Sequence, residues 1–451
     1  MSVRNRLGGI FKPKRIPSGM FTYRGEGEFS GLSLQLRVEP DGRGLLAINA
    51  NTVLYLNETA TVLAYYFMHG YSTESAIKTL RRLYRVDEAT AKEDYEHLVY
   101  NISTLAQTEE VCPLTFLGVE KAEPFTSDMS APLRMDLALT FRCNNDCAHC
   151  YAGGPHETPE MSTGDWKRVI DKCVELGIFI ITFTGGEPTL REDITDLAMY
   201  AQSRGEVTGL VTNGRMLKDS EYVKKLEKAG LDFAQITLES HISEIHDSIT
   251  GVKGSWEETV EGIRNVERSQ IYLSTNTTLN KKNYESFLDT VDFIKGLGVP
   301  AFGCNGLIYS GSAPSVAAEF ALSIDELKKI LPEIQEKAQI LGLKFNWFTP
   351  TQYCQLNPVE MGLGIKSCSA CRMNMCVGPE GDVYPCQSYF KSLGNILRDD
   401  WKSIWNHPVC KEIRERKYVP EKCKDCPELA ICGAGCILEL QEKGQAGMCT
   451  A

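Results

Sequence analysis

The sequence is short of positive charge and has no long apolar runs. Lys and Arg number 48 against 59 Asp and Glu, for a net charge of −11. Neutralising phosphates takes a concentration of Lys and Arg, so nucleic acid is not expected as a partner. No apolar stretch approaches the roughly 18 residues that would span a bilayer, and no membrane association is expected. The opening segment MSVRNRLGGIFKPKRIP is basic and lacks a continuous apolar core, so it does not read as a signal peptide. The expected location is the cytoplasm. What remains is ordinary globular material, 43% hydrophobic and 24% charged, and 451 residues suffice for about three domains.

Cysteine is what the sequence has in excess. There are 17, an odd number. In a reducing compartment, clustered cysteines point to metal ligands or catalytic groups rather than disulfides. Three fall within residues 143–150 and ten within 368–449. Cys112, Cys173, Cys304 and Cys354 are scattered and are expected to be small buried hydrophobes.

Organisation along the chain follows from periodicity. Residues 1–30, rich in Gly, Lys and Arg, are expected to be loose. LSLQLRV (32–38) alternates as a strand does, EPDGRG turns, and LLAINANTVLYLN continues in extended pieces. Three helices are expected next, opening at Asn57, at Ser72/Thr73 and at Asp87. Residues 31–110 thus make a winged-helix-like unit, and 111–131, without periodicity, a linker. From 132 to 310 strands and helices alternate. The expected strands are 135–141, 179–185, 207–213, 232–238, 272–278 and 301–307, an α/β arrangement with a parallel sheet. Residues 311–367 form a bridging region with a helix over 323–342, and 368–451 a cysteine-rich tail whose small core needs metal staples.

RCNNDCAHCY places Cys143, Cys147 and Cys150 as C-x3-C-x2-C directly after the first of those strands. Three thiolates hold three irons of a four-iron cluster and leave the fourth iron open, which suits catalysis. A zinc site, completed by His149 or Cys173, is the alternative. The spacing at the end of a first barrel strand resembles the signature of radical S-adenosylmethionine (SAM) enzymes. The resemblance implies a partial (β/α)6 TIM-like barrel and a cluster whose open iron chelates SAM. It also implies reductive cleavage of SAM to a 5′-deoxyadenosyl radical. TGGEP (184–188) matches the GGEP motif of that family. Gly185 and Gly186 would let backbone approach the ligand, and Glu187 would bind the SAM ammonium. By the same resemblance, His149 lies near the adenine, Thr237 or Glu239 contacts the ribose, and Asn276 is a weaker candidate. Many relatives carry an Arg after the fourth strand; Ile249 and Thr250 stand there instead.

The tail contains G381-x4-C386, then C423-x2-C426-x5-C432-x3-C436, and ends with Cys449. With GPEGDVYPC (378–386) and LGNI (393–396) this resembles the SPASM domain, which carries two auxiliary 4Fe–4S clusters. The resemblance implies one cluster on Cys423, Cys426, Cys432 and Cys449, and another on Cys368, Cys386 and Cys436. Cys371, Cys354 and Cys376 compete for the remaining position, or it stays open for a substrate thiolate. The implied total is SAM plus three 4Fe–4S clusters.

The segment LYLNETATVLAYYF within residues 31–105 resembles the peptide-recognition element of ribosomal peptide maturation. Such elements add a leader peptide as a strand. The combined expectation is a radical SAM/SPASM peptide maturase acting on a precursor peptide with a leader. It would form a thioether, or next a carbon–carbon cross-link, and draw electrons from a ferredoxin or flavodoxin. The rivals are a maturase of a protein side chain or of a cofactor precursor, and a non-enzymatic metal protein.

Overall fold

A computed structural model of the chain describes residues 16–49, 52–107 and 129–444. The expected linker as far as residue 128, Cys112 and Cys449 lie outside the described residues. The chain divides into two compact units, residues 1–121 with 175–179, and residues 122–174 with 180–451.

The first unit opens with an antiparallel sheet of β1 (Gly19–Arg24), β2 (Ser33–Val38), β3 (Gly44–Ile48) and β4 (Thr52–Leu56), in that spatial order. Three helices follow: α1 (Glu58–Met68), α2 (Thr73–Leu83) and α3 (Glu88–Gln107). Each start has its cap. Asn57 Oδ1 accepts from Ala60 N at 2.8 Å, Ser72 Oγ from Ser75 N at 3.3 Å and Asp87 Oδ1 from Thr90 N at 3.0 Å. Leu34, Leu36, Leu46 and Ile48 of the sheet pack with Val62, Leu63 and Phe67 of α1 and with Leu80 and Ile102 behind them.

One expectation fails here. Residues 1–30 were expected to be loose throughout, yet β1 pairs residue for residue with β2, from Gly19↔Val38 to Arg24↔Ser33. Its anchor is aromatic: Phe21 meets Tyr65 edge-on at 4.9 Å, and Tyr23 lies 5.6 Å from Phe67. These are contacts with α1, some forty residues downstream, and nothing in the local sequence announces them.

The second unit is built on six parallel strands laid side by side in chain order: β5 (Arg134–Thr140), β6 (Ile180–Gly185), β7 (Val207–Thr212), β8 (Phe233–Thr237), β9 (Tyr272–Thr278) and β10 (Ala301–Asn305). Helices Thr163–Glu175, Ile194–Ser203, Ser220–Lys228, Ser255–Glu267 and Phe287–Gly296 make the crossovers. The strands have two unlike faces: one carries Leu137, Phe183, Leu210, Ala234 and Leu273, the apolar residues that helices cover, and the other carries polar residues such as Asp136, Thr182, Gln235, Thr237 and Asn276. This is the expected partial (β/α)6 barrel. The sheet runs further than expected: β11 (Lys344–Trp347) adds parallel to β10, and β12 (Asn374–Val377) adds parallel to β5. β13 (Val383–Tyr384) closes the far end antiparallel to β12. The cysteine-rich tail is therefore continuous with the barrel sheet.

Asn57→Ala removes the cap of α1 and should cost about 1 kcal/mol. Amide hydrogen exchange in the first turn of α1 is expected to speed up by about fivefold; an unchanged rate would show that the cap contributes nothing.

Candidate active site

The loop after β5 carries Cys143, Cys147 and Cys150, all partly exposed, at the C-terminal ends of the barrel strands. The loop is held on three sides. Asp146 N donates to Thr250 O at 2.9 Å and Ala148 N to Ile249 O at 3.2 Å. Ile249 and Thr250, which stand where an Arg was expected by resemblance, thus serve through their carbonyls. Gly251, at φ 73°, comes so close to Asp146 O that a Cβ there would collide with it. From β7, Asn213 Nδ2 donates to Asn144 Oδ1 at 2.6 Å. Arg215 binds Asn145 Oδ1 at 3.0 Å and the Asn144 carbonyl, and is itself fixed by Glu258 at 2.6 Å.

Burial pushes the Cys143 thiol up to about 11, and the Cys147 thiol well above its ordinary value with Glu239 adding to the effect. Such thiols keep their protons until a strongly positive metal group displaces them. Donors for the resulting sulfur charge are in place, with Asn145 N at 3.4 Å and Asn213 Nδ2 at 3.9 Å from Cys143 Sγ. Among the described residues no three His, Cys, Asp or Glu side chains converge as a single ion requires. Zinc needs its sulfurs at about 2.3 Å from one centre, whereas a four-iron cluster is wide and keeps its thiolates apart. Three thiols on one loop, with Asn145 N and Asn213 Nδ2 aimed at Cys143 Sγ, are a donor set that fits an iron–sulfur cluster.

The GGEP turn does something other than expected. Gly186 N donates to Thr140 O at 2.7 Å and Glu187 N to Arg142 O at 2.9 Å. A Cβ on Gly185 would strike Thr140 O, and one on Gly186 would lie 2.5 Å from Arg142 O. The paired glycines are needed first for backbone against backbone, fastening β6 to the start of the cysteine loop; both also line the cavity. Glu187, expected at the SAM ammonium, has a fully buried carboxylate that accepts Thr189 N at 3.0 Å, Thr189 Oγ1 at 2.5 Å and Thr212 Oγ1 at 2.8 Å on Oε1 and Asn213 N at 2.8 Å on Oε2. With these donors it braces the turn against the end of β7.

A cleft with about 1070 Å3 of empty space, mouth included, lies over the loop. The cysteines, His149, Gly185, Gly186, Thr237, Glu239 and Asn276 all line it. Glu239, 1% exposed, accepts from Thr278 N at 3.2 Å and lies 3.4 Å from His149 Nε2. His149 Nδ1 is buried and has no hydrogen-bond partner. Asn276 Nδ2 donates to Asn305 Oδ1 at 2.8 Å, while its own Oδ1 is buried and unpartnered. Sequence reasoning missed Gln235, two residues before Thr237 on the same strand face, which the strand period gives away. It also missed Tyr151, whose hydroxyl donates to Gly185 O at 3.2 Å, and Gln387, the tail residue after Cys386. No described lining residue is Lys or Arg.

In the tail, Cys386 is pushed up by burial and by its neighbours Cys368 and Cys436, and Cys436 rises to about 12 by burial and by Cys368. These three belong together. Cys423 is raised by burial and by Cys432 and Cys426, a second group; its expected fourth member, Cys449, lies outside the described residues. The contenders for the first group's remaining position have neighbours of their own, although Cys386 lies close enough to raise the Cys371 and Cys376 thiols. Cys376 packs among Ala138, Phe141 and Tyr384, Cys354 is in a disulfide, and Cys371 Sγ lies 2.8 Å from Cys410 Sγ. Cys371, expected as a metal ligand, is thus drawn to a cysteine that neither ligand set includes.

Gly251→Ala should force the cysteine loop off its carbonyl anchors. The expected result is loss of about four irons per chain and of 5′-deoxyadenosine formation, while iron bound in the tail remains. The Cys143/Cys147/Cys150→Ala triple variant sets the level of complete loss. Wild-type iron and SAM cleavage in Gly251→Ala would show that the close approach is dispensable.

Residues 137–294 match the Radical SAM superfamily, and residues 368–427 match the SPASM iron–sulfur cluster-binding domain. The AdoMet-dependent heme synthase of Methanosarcina barkeri is 28% identical over 68% of this chain and 91% of its own length. The antilisterial bacteriocin subtilosin biosynthesis protein AlbA of Bacillus subtilis is 27% identical over 77% of each chain. The crystal structure of Streptococcus suis SuiB bound to precursor peptide SuiA shares the fold at TM-score 0.68. It is 18% identical, and the match covers 94% of this chain and 97% of that one. The Radical SAM match spans the cysteine loop, the turn that braces it and the strands beneath the cleft, and the two matched domains imply SAM and 4Fe–4S clusters as cofactors. The chain is a radical SAM enzyme with a SPASM domain.

Proposed function

We propose that this enzyme modifies a ribosomally made precursor peptide, closing a cross-link in its core segment, a thioether first and a carbon–carbon bond next. The observation that carries the reading is the charge of the cleft. Hydroxyls, carboxamides and Glu239 line it, and no described Lys or Arg does. A tetrapyrrole brings several carboxylates, which call for cationic partners. A peptide backbone brings neutral N–H and C=O groups, which carboxamides and hydroxyls match. This favours the peptide over the substrate class of the heme synthase relative. Bound together, cluster and SAM supply a 5′-deoxyadenosyl radical that takes a hydrogen atom from the peptide. Around it the chain's own residues act. Cys143, Cys147 and Cys150 hold the cluster, the Gly185–Gly186 backbone and Thr237 border the SAM position, and Gln235, Asn276 and Gln387 offer hydrogen bonds to the core segment.

The thioether preference rests on the tail. Cys368, Cys386 and Cys436 make a set of three, while the nearby Cys371 faces Cys410, Cys376 packs against Ala138, Phe141 and Tyr384, and Cys354 is in a disulfide. Three ligands leave one iron of a four-iron cluster without a protein ligand, a place for a substrate thiolate. The first unit, with domain limits near 31–110, is the leader-recognition element. β4 ends its sheet, and Val53 and Tyr55 on it are 37% and 48% exposed, so a leader strand can add there. A ferredoxin or flavodoxin in the cytoplasm supplies the electron. Among the described residues no helix is long and apolar enough to cross a membrane.

Deleting residues 1–110 tests the assignment. Added-strand hydrogen bonds are worth on the order of 1 kcal/mol each, so losing several should weaken precursor binding by about a hundredfold or more. Peptide-independent SAM cleavage and iron content, measured in the same preparation, should survive. Binding of the full precursor as tight as in the intact enzyme would remove the recognition role.

A further inference from the structure

Cys371 and Cys410 form a sulfur pair that borders the group of Cys368, Cys386 and Cys436, with Cys386 close enough to act on the Cys371 thiol. Both side chains are fully buried, and their Sγ atoms stand 2.8 Å apart, closer than two sulfurs rest without an interaction between them. Neither backbone is free to drift. Cys371 sits at φ 54°, a left-handed conformation that a residue with a Cβ keeps only when its surroundings hold it. Its N–H is shared between Asn374 O and Pro385 O, each at 3.1 Å, and Pro385 directly precedes Cys386. Cys410 lies on the helix Pro408–Arg414. From that helix Arg414 donates to Cys371 O at 3.1 Å and lies 4.4 Å over the Trp405 ring. The pair therefore joins the helix to the loop that carries Cys368 and Cys386.

We infer that Cys371 and Cys410 are a disulfide-forming dithiol, a covalent fastening beside the auxiliary cluster that uses none of its thiolates. A disulfide needs its sulfurs at about 2.05 Å. The remaining gap is under about 1 Å, within the reach of side-chain rotation. The oxidant is a low-molecular-weight disulfide. One protein thiol attacks it, expelling one small thiol and leaving a mixed disulfide. The second protein thiol then displaces the other half. Two protein S–H bonds and one small S–S bond break; one protein S–S bond and two small thiols form. The protein pair loses two electrons and two protons, and the small disulfide takes up both. This inference does not depend on which substrate the enzyme modifies.

The test uses reconstituted holoenzyme under anaerobic conditions, incubated with hydroxyethyl disulfide, unfolded in acid, alkylated and digested for mass spectrometry. The expected product is a cross-linked peptide pair joining Cys371 to Cys410, absent from Cys410→Ser. Iron content should be unchanged by the treatment and by either Cys410→Ser or Cys371→Ser. Recovery of both cysteines separately alkylated after treatment would overturn the inference. So would loss of about four irons in either variant, because the residue would then be a cluster ligand. SAM cleavage by Cys410→Ser, with its cysteine loop untouched, reports that the variant is folded.

Discussion

The buried carboxylate of Glu187 is the point on which the active site turns. It receives two donors from Thr189 in its own turn and two from Thr212 and Asn213 at the end of β7. Asn213, fixed by that bond, holds Asn144 within the cysteine loop. One carboxylate thus ties together the end of β6, the end of β7 and, through one amide, the loop of Cys143, Cys147 and Cys150. Burial raises its pKa above the ordinary carboxylate range, and the four donors offset only part of that rise. Taking any one donor away leaves charge under-satisfied in a dry place, where the cost is several times that of a surface hydrogen bond. The glycines before it are small because the turn must lie on the Thr140 and Arg142 carbonyls for this carboxylate to reach β7.

Much of this was legible in the sequence. The C-x3-C-x2-C loop, the six barrel strands and the three capped helices are local patterns, and each fell within a few residues of its expected place. What was not legible depends on partners far along the chain. β1 is ordered by aromatic contacts to α1, and β12 by parallel pairing with β5, some 240 residues earlier. β13 is two residues long and has no period to read. The bracing contacts of Glu187 were not legible because a motif names a residue without naming the Thr189, Thr212 and Asn213 donors that the fold brings to it. Cys371 was misplaced for a similar reason: spacing places it near Cys386, but only the fold brings Cys410 to it. Gln387 escaped notice because a glutamine beside a ligand cysteine is unremarkable until the tail folds over the barrel mouth.

The cleft divides its labour by charge. On the loop side are thiols, Glu239 and His149, the groups that a positive cluster and a zwitterionic cofactor would meet. Across from them, Gln235, Asn276, Asn305 and Gln387 are neutral and polar. Asn276 keeps a buried carbonyl oxygen without a partner, a cost that a bound N–H would relieve. Among its described lining residues the cleft offers neutral hydrogen-bonding groups and no cationic partner for a carboxylate.

The central claim, that the radical formed over Cys143, Cys147 and Cys150 acts on a core residue of a peptide, is tested most directly by isotope transfer. A precursor peptide deuterated throughout its core would be turned over anaerobically with SAM and reductant. The account predicts deuterium in the 5′-deoxyadenosine and a cross-linked peptide lighter than its precursor by one deuterium and one further hydrogen. 5′-Deoxyadenosine free of deuterium, alongside a peptide of unchanged mass, would contradict it.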